Sequence, residues 1–364
     1  MAQSLRASLN LTPDAIVAFL SGARTYGSPT QEVIVRETHM SWVFLVGERV
    51  YKLKKPLRSD FVDFSTSARR KAACLAEFQL NRRLAKQTYL NVTPLTFSRN
   101  GFAIGGAGEI VDWLVVMRRL DERLMLETAI LESRLTGRDL DRLACTLVKF
   151  YRHAEPISLA PEQQVAEWKR GLTYNRRVLL NPVLGLPAGL IRHIDKLQRR
   201  FFERRRGRLV ARGLARRIVD AHGDLRPEHI WLGEPLQIID CLEFSSRLRA
   251  VDALAEIAFL DLECERLGVA WAGKRIRRGV FSRLPALQDE TLFRFYRIYS
   301  AMVRARIAIA HLLDVNPRSP AKWRPQALAY LNLAFADTLR LSSLLRRRGG
   351  RPGANPHAAD GWPR

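Results

Sequence analysis

The sequence predicts an α+β fold in which a small region of antiparallel strands precedes a larger, mostly helical region. Short apolar segments bounded by turn residues are concentrated between residues 40 and 117, as is typical of hairpin strands. From Leu124 onward, apolar residues recur with helical spacing. We therefore expect an N-terminal domain over 1–120, a helical C-terminal domain over 121–347, and a disordered Gly- and Pro-rich tail over 348–364.

The composition favours a globular protein that does not cross a membrane. With 364 residues, 47% of them hydrophobic, the chain can bury a substantial core. It has no apolar run of the roughly 18 residues that a transmembrane helix requires, and no N-terminal segment typical of a signal peptide. Its four cysteines show no paired spacing, which favours a reducing compartment, so we expect a cytoplasmic protein.

The formal net charge of +24 is typical of a nucleic-acid-binding protein. However, 50 of the 60 basic residues are arginine, and they are scattered through the predicted helices. The densest run, 199–217, fits either a solvated helix face or an anion-binding surface. Phosphorylated ligands are also anionic, so nucleic-acid binding is the less favoured interpretation, and we expect no membrane partner.

The N-terminal part predicts a helix and then a hairpin. Thr12-Pro13-Asp14 supplies an N-cap, a first-position proline and a first-turn acid for a helix ending near Arg24. Strands are predicted over 40–46 and 49–54, joined by Gly47-Glu48. Lys52 and Lys54 lie on one face of the second strand, because side chains alternate along a strand. A cation held there suits phosphate binding, although a solvated edge strand would carry the same residues.

A helix is predicted over 65–85, with Glu77 among apolar neighbours. The plain interpretation of Glu77 is a surface ion pair with a basic residue of its own helix, which contributes little. Further strands are predicted over 95–98, 102–104 and 113–117, and the remaining helices over 139–152, 162–179, 188–206, 251–268, 290–314 and 321–347. No GxGxxG or GxxxxGK[ST] motif occurs, which excludes a P-loop nucleotide-binding protein.

The most informative segment is 218–244, with the sequence IVDAHGDLRPEHIWLGEPLQIIDCLEF. It reads as a loop, a short strand, a tight turn and a second strand, so a hairpin presents Asp224 and Asp240 near strand ends. Asp and Gly are also frequent in ordinary turns. Phosphoryl transfer, however, needs this pair of carboxylates: one to orient the acceptor hydroxyl and one to hold Mg²⁺ on the ATP phosphates.

The HGDL loop and the IDCLEF end resemble the catalytic and metal-binding segments of the aminoglycoside phosphotransferase family, which has a protein-kinase-like fold. The resemblance is closer to a branch with an IDxxEF motif, whose longer members carry an additional C-terminal P-loop kinase domain that we do not expect here. It implies a two-lobed protein with an antiparallel-sheet lobe and a mostly helical lobe. It also implies ATP and Mg²⁺, with Mn²⁺ as a possible substitute, as cofactors.

The resemblance implies a role for each of the following residues. Asp224 would be the catalytic base or hydroxyl orienter, Asp240 the main Mg²⁺ ligand, and Lys52 the phosphate-binding lysine positioned by Glu77. Met117 would end the last strand of the small lobe, before the backbone groups that pair with adenine. The loop that covers the phosphates would lie around 38–41.

Other positions of the family pattern are structural, and one departs from it. His222 and Asp252 would brace the HGDL loop, and Glu256 stands where the family has Asp. The family has Asn five residues after the catalytic Asp as a second metal ligand, whereas this chain has His229. Imidazole nitrogen is a poor ligand for Mg²⁺. The expected function is therefore ATP-dependent phosphorylation of a hydroxylated small molecule, with an inactive nucleotide-binding scaffold as the alternative.

Overall fold

The computed structural model describes residues 12–27, 30–59, 62–314, 317 and 319–349, with side chains to 346. Residues 348 and 349 end the last helix, and the rest of the predicted tail lies outside the described residues. The chain forms two compact units. The first contains the residues up to Ala129 together with Glu228–Leu248, and the second contains Ile130–Pro227 together with the residues from Arg249 onward.

This division differs from the predicted boundary at residue 120. The first unit extends to Ala129 and also takes in Glu228–Leu248, which the prediction assigned to the helical domain. Asp224 therefore belongs to the second unit, and Asp240 to the first.

The first unit is built on a six-stranded antiparallel sheet with the strand order β1-β2-β3-β6-β4-β5. Its strands are β1 Val33–Glu37, β2 Ser41–Val46, β3 Arg49–Lys54, β4 Tyr89–Ser98, β5 Gly101–Ile104 and β6 Glu109–Arg118. β3 lies inside the sheet, with Lys52 opposite Val43 of β2 and Val115 of β6. Because it is paired on both sides, β3 holds its side chains in a fixed register.

The prediction missed β1. This strand lies at the edge of the sheet, and three of its five residues are exposed, so it lacks the alternation of buried and exposed residues that marks a half-buried strand. The other five strands of this sheet lie where the sequence predicted them, and three of them begin earlier than expected. Outside it, β10 Ala250–Asp252 occupies the start of the helix predicted over 251–268, which begins at Ala253. The predicted α+β class is confirmed.

Two helices pack in the first unit: α1 Pro13–Ser21 and α2 Ser67–Asn81. Thr66 caps α2 by accepting a hydrogen bond from the Arg69 N–H. The predicted helix over 65–85 is thus shorter at both ends. α2 turns Glu77 and Asn81 inward, and both are buried, because residues four apart lie on one face of a helix.

The hairpin of the informative segment also belongs to the first unit. β8 Ile230–Trp231 pairs with β9 Gln237–Ile238. The Leu232 N–H donates to the Leu124 carbonyl at 2.8 Å, and the Trp231 indole N–H donates to the Asp121 carbonyl at 3.1 Å. These bonds attach the hairpin to the segment that follows β6.

The second unit is mostly helical. Its helices are α4 Gly137–His153, α5 Pro161–Leu179, α6 Ala188–Leu214, α8 Ala253–Arg266, α9 Ala270–Phe281, α10 Glu290–Ala310 and α11 Pro320–Gly349. Two short helices, α3 Leu126–Leu131 and α7 Ser246–Arg249, lie where the chain passes from one unit to the other. A two-stranded sheet joins β7 Ile218–Asp220 to β10 Ala250–Asp252.

The sequence did not predict α9, whose interior contains Gly273 and Gly279, and interior glycines lower helix propensity. A Cβ on Gly273 would lie 2.9 Å from the Asp261 Cα of α8, so glycine is needed for this close approach. None of the helices in the part of the chain that the structure describes is both long and apolar enough to cross a membrane.

Candidate functional site

The first unit brings Lys52, Glu77 and Asp240 together in one chain of hydrogen bonds. The Lys52 ammonium donates to Glu77 Oε1 at 2.8 Å and to Asp240 Oδ1 at 3.0 Å. The three residues come from β3, from α2 and from the segment that follows β9. Their roles stay predictions; the Lys52–Glu77 contact is the one that the predicted role of Glu77 requires.

Both lysines of β3 contact Glu77, as expected for residues on one face of a strand. The Lys54 ammonium donates to Glu77 Oε2 at 2.6 Å and also to Glu243. The two lysines differ in exposure: the side chain of Lys52 is 15% exposed and that of Lys54 only 1%. Lys52 is therefore the better candidate for phosphate contact, whereas Lys54 is enclosed by carboxylates.

The charges of this group keep one another ionised. Burial would lower the pKa of Lys52, but Asp240 and Glu77 raise it well above its ordinary value. The pKa of Lys54 is raised in the same way, against burial, by Glu77 and Glu243. Burial would raise the pKa of Glu77, but the two lysines lower it. All three residues are therefore charged near neutral pH.

The backbone of Asp240 has a conformation that needs support. Its φ is +63°, in the left-handed region that non-glycine residues rarely adopt. The Asp240 N–H donates to the Tyr89 hydroxyl at 3.2 Å, and the Cys241 N–H donates to Asn81 Oδ1 at 2.8 Å. Such strain persists where the surroundings hold the residue in place, and it is concentrated at functional sites.

Asp240 and His229 are the predicted metal ligands, and both lie in the first unit. His229 Nε2 is 3.7 Å from Asp240 Oδ2, and the Asp240 side chain is 50% exposed. Among the described residues, no group of three or more His, Cys, Asp or Glu side chains could hold a metal by itself. Mg²⁺ in kinase sites is bound by one or two carboxylates, with phosphate oxygens and water completing its shell. An exposed Asp240 fits that requirement, and buried His229 fits it poorly.

The HGDL loop lies in the second unit, where Glu256 of α8 holds its backbone. Glu256 Oε1 accepts a hydrogen bond from the Gly223 N–H at 2.7 Å, and Oε2 accepts from the His222 N–H at 3.4 Å. The Tyr151 hydroxyl also donates to Oε2 at 2.7 Å. His222 is buried, and its Nδ1 accepts from the Asp224 N–H at 3.3 Å. His222 thus makes a contact of the bracing kind.

Asp252 does not brace this loop directly. It caps α8 by accepting from the Leu254 N–H, and it accepts hydrogen bonds from the Arg212 guanidinium and from the Tyr296 hydroxyl. Within the described ranges it forms no hydrogen bond with residues 222–225. Asp252 instead fixes the start of the helix that carries Glu256, because Asp is a preferred N-cap residue. The direct support comes from Glu256.

The carboxylate of Asp224 contacts Arg226, a residue that was not predicted to belong to the site. The Arg226 guanidinium donates from Nε at 2.9 Å and from Nη2 at 2.8 Å, both to Asp224 Oδ2. Both side chains are partly exposed. In the sequence, the signal for this contact was an arginine two residues after the aspartate of the HGDL loop.

Met117 lies at the end of β6, opposite Val50 of β3, and is partly buried. The next two residues bond back to the sheet: the Arg118 N–H donates to the Thr88 carbonyl and the Arg119 N–H to the Glu48 carbonyl. A cleft of about 320 Å³ lies beside this segment. It is lined by Gly47, Glu48, Arg118, Arg119, Leu120, Asp121 and Trp231.

Comparisons with known structures identify the fold. A choline/ethanolamine kinase family protein from Mesorhizobium loti superposes with a TM-score of 0.53 at 16% identity, over 90% of this chain and 94% of its own. The choline kinase of Cryptosporidium parvum superposes with a TM-score of 0.52 at 12% identity, over 92% and 97%. The chain has a choline-kinase-like fold. The predicted protein-kinase-like fold is therefore confirmed.

Sequence comparisons match the chain to uncharacterised mycobacterial proteins. Uncharacterised proteins of Mycobacterium tuberculosis and Mycobacterium bovis are 32% identical to it over 326 residues, or 88% of the chain. The chain spans 62% of the length of these relatives. No protein-family model matches the chain.

Replacing the shared carboxylate, by Glu77→Gln, should destabilise the protein. The change leaves two lysines without their common partner, and removing one member of a buried ion pair costs about 3–5 kcal/mol. Because the pKa of Glu77 is lower in the folded protein than its ordinary 4.5, its contribution is complete above about pH 4.5 and is lost as the pH falls further. Urea unfolding at pH 7 should show the full difference from wild type, and unfolding at pH 3–4 a smaller one.

The matched control is Glu122→Gln, which removes a carboxylate from the exposed Arg36–Glu122 pair of the same unit. Exposed pairs contribute about 0–1 kcal/mol, so this variant should unfold almost like wild type at both pH values. An equally small loss for Glu77→Gln at pH 7 would contradict the central place given to Glu77.

Proposed function

We propose that this protein is an ATP-dependent phosphotransferase that moves the γ-phosphoryl group to a hydroxyl of a small molecule. The observation that carries the proposal is the hydrogen-bonded series Asp240–Lys52–Glu77. A strand lysine held by a helix carboxylate is one requirement of kinase chemistry, and a metal-binding aspartate is another. The choline-kinase-like fold supports the same class of reaction.

In this proposal the first unit binds the nucleotide. Lys52 contacts the phosphates, since it is the more exposed lysine of β3, and the adenine lies near Met117, Val50 and the cleft beside the next segment. Asp240 is the carboxylate that would hold Mg²⁺. When bound, Mg²⁺ would supply positive charge that neutralises the charge developing on the transferred phosphoryl group.

Asp224 of the second unit is proposed to orient the acceptor hydroxyl. Arg226 bonds to Oδ2 of this carboxylate and so restricts its rotation. A general base must lie within hydrogen-bond reach of the proton that it accepts, so a carboxylate held in one orientation favours catalysis. Glu256 contributes by holding the loop backbone on which Asp224 lies.

His229 supports a second candidate function, that of a nucleotide-binding scaffold without turnover. The imidazole lies 3.7 Å from Asp240, at the position where the family has a metal-binding amide. Nitrogen is a weak ligand for Mg²⁺ and a better one for Mn²⁺. The choice between enzyme and scaffold therefore depends on whether one carboxylate and the phosphates suffice to hold the metal.

The first test of nucleotide binding is a melting-temperature measurement with ATP and Mg²⁺. ATP at about 100 times its Kd should stabilise the folded protein by about 2.7 kcal/mol, which raises Tm by several degrees. Lys52→Ala should remove most of this increase, because the phosphates lose their cation. Lys55→Ala is the control, because Lys55 lies three residues after Lys52 and pairs with Glu37 of β1 instead of Glu77. An increase that survives Lys52→Ala would refute the lysine assignment, and no increase for wild type would refute the nucleotide proposal.

The role of Asp224 is tested by separating binding from turnover. Asp224→Asn should leave the ATP-dependent increase in Tm nearly unchanged, but slow ATP hydrolysis or phosphoryl transfer by about 10²-fold or more. Asp141→Asn, which alters an exposed aspartate of the same unit, should change neither quantity. If Asp224→Asn kept wild-type turnover, the carboxylate would have no part in the chemistry.

The metal preference tests His229. If the imidazole contacts the metal, Mn²⁺ should support turnover better than Mg²⁺, and His229→Asn should narrow the Mn²⁺ to Mg²⁺ activity ratio. If His229 only supports the loop, His229→Asn should change Tm and leave that ratio unchanged. Wild-type and variant rates with each ion decide between the two, and an unchanged ratio rules out His229 as a ligand.

A further inference from the structure

The second lysine of β3 has an environment unlike that of the first. Lys54 is buried, and its ammonium lies between Glu77 and Glu243. A side chain that is 1% exposed and enclosed by two carboxylates is not available to a phosphate. Its charge must nevertheless be compensated, because an unpaired buried ammonium is costly. Lys54 therefore contributes to the structure of the protein and does not contact the ligand.

The pairing of Lys54 with Glu243 connects β3 to the segment that carries Asp240. Glu243 lies three residues after Asp240, at the acidic end of the IDCLEF segment. Three of the groups that hold the segment are the Tyr89 hydroxyl, which accepts from the Asp240 N–H, Asn81, which accepts from the Cys241 N–H, and Lys54, which donates to the Glu243 side chain. All three holding groups come from the sheet or from α2.

We propose that buried Lys54 and largely buried Glu243 form a positioning pair that sets the placement of Asp240 as a metal ligand. The proposal rests on the proposed function, since it concerns the same nucleotide site. One oxygen of Glu77 accepts a hydrogen bond from Lys52 and the other accepts one from Lys54, so the same carboxylate holds both lysines in place. Lys54 fixes the far end of the segment through Glu243, while Lys52 contacts its near end at Asp240.

The strained backbone of Asp240 shows why such a pair is needed. A residue at φ +63° tends to relax unless its neighbours hold it, and relaxation would turn the carboxylate away from its present position. Groups that orient a metal ligand typically change metal affinity by about 10–100-fold when they are replaced. The expected consequence of losing the pair is therefore a weaker response to Mg²⁺, with the phosphate contact of Lys52 retained.

The test replaces both members with apolar residues of similar size, Lys54→Met with Glu243→Leu. Replacing both members of a buried ion pair is often neutral for stability, but this double variant also removes one of the two lysines that pair with Glu77, so its Tm without ligand should be lower than that of wild type. Its Tm is measured with a fixed ATP concentration and increasing MgCl₂. The Mg²⁺ concentration that gives half of the ATP-dependent increase should rise about 10-fold or more relative to wild type. The Tm increase that ATP produces in the presence of EDTA, without Mg²⁺, should stay within about twofold of the wild-type increase.

The matched control is a buried ion pair that joins α2 to the sheet and does not involve the segment after β9. Arg70 bonds to Asp112 of β6 at 2.8 Å, and neither residue lies in the 240–243 segment. Arg70→Met with Asp112→Leu should alter Tm without moving the Mg²⁺ midpoint. Glu243→Gln, which keeps the shape of the side chain, should move that midpoint in the same direction as the double variant and serves if the latter does not fold.

The outcomes separate this inference from the function on which it rests. If wild type shows no ATP-dependent increase with Mg²⁺, the proposed function fails and the inference fails with it. If wild type responds and the Lys54/Glu243 variants keep its Mg²⁺ midpoint, the pair is only structural and the inference alone is overturned. A midpoint that moves equally in the Arg70/Asp112 control also overturns it, because the effect would then follow from general destabilisation.

Discussion

The carboxylate of Glu77 is the group on which the first unit depends. It is fully buried, and each oxygen accepts a hydrogen bond from a different lysine of β3. Desolvating a carboxylate is expensive, so the arrangement is stable only when both partners are present and well placed. This requirement constrains α2 against β3. Because Lys52 and Lys54 also bond to Asp240 and Glu243, it constrains the segment after β9 as well.

A helix carboxylate has a comparable task in the second unit, with backbone groups as its partners. Glu256 accepts from the N–H groups of His222 and Gly223 and from the Tyr151 hydroxyl. Burial of Tyr151, together with the negative charge of Glu256 beside it, raises the pKa of that tyrosine well above its ordinary value, so the hydroxyl remains a donor. In each unit, then, a buried glutamate orients a segment that carries an exposed or partly exposed aspartate.

Some of the many arginines have a structural role inside the protein. Arg297 is fully buried and joins three helices by bonding to Asp261 and Glu265 of α8 and to Asp337 of α11. Arg70 is also buried in an ion pair, and Arg212 is largely buried. Guanidinium groups suit such sites because their donors match carboxylate geometry. A high arginine count therefore reflects internal architecture as well as surface charge.

The sequence by itself determined the types of most elements, the placement of both lysines on one strand face, and the segment that carries Asp224 and Asp240. These features follow from local periodicity, turn residues and short motifs, which act over a few positions. It did not reveal β1, whose exposed edge position leaves no alternation, or α9, whose glycines are explained only by a neighbouring helix.

Only the tertiary structure decided which lysine is enclosed and which is accessible, and that Glu256 rather than Asp252 contacts the HGDL loop. The partners of these side chains are distant in sequence: Lys52 and Asp240 are 188 residues apart, and Lys54 and Glu243 are 189. Each such contact depends on how sheet, helix and hairpin pack together. Burial and ion pairing are properties of that packing, and no local pattern in the chain encodes them.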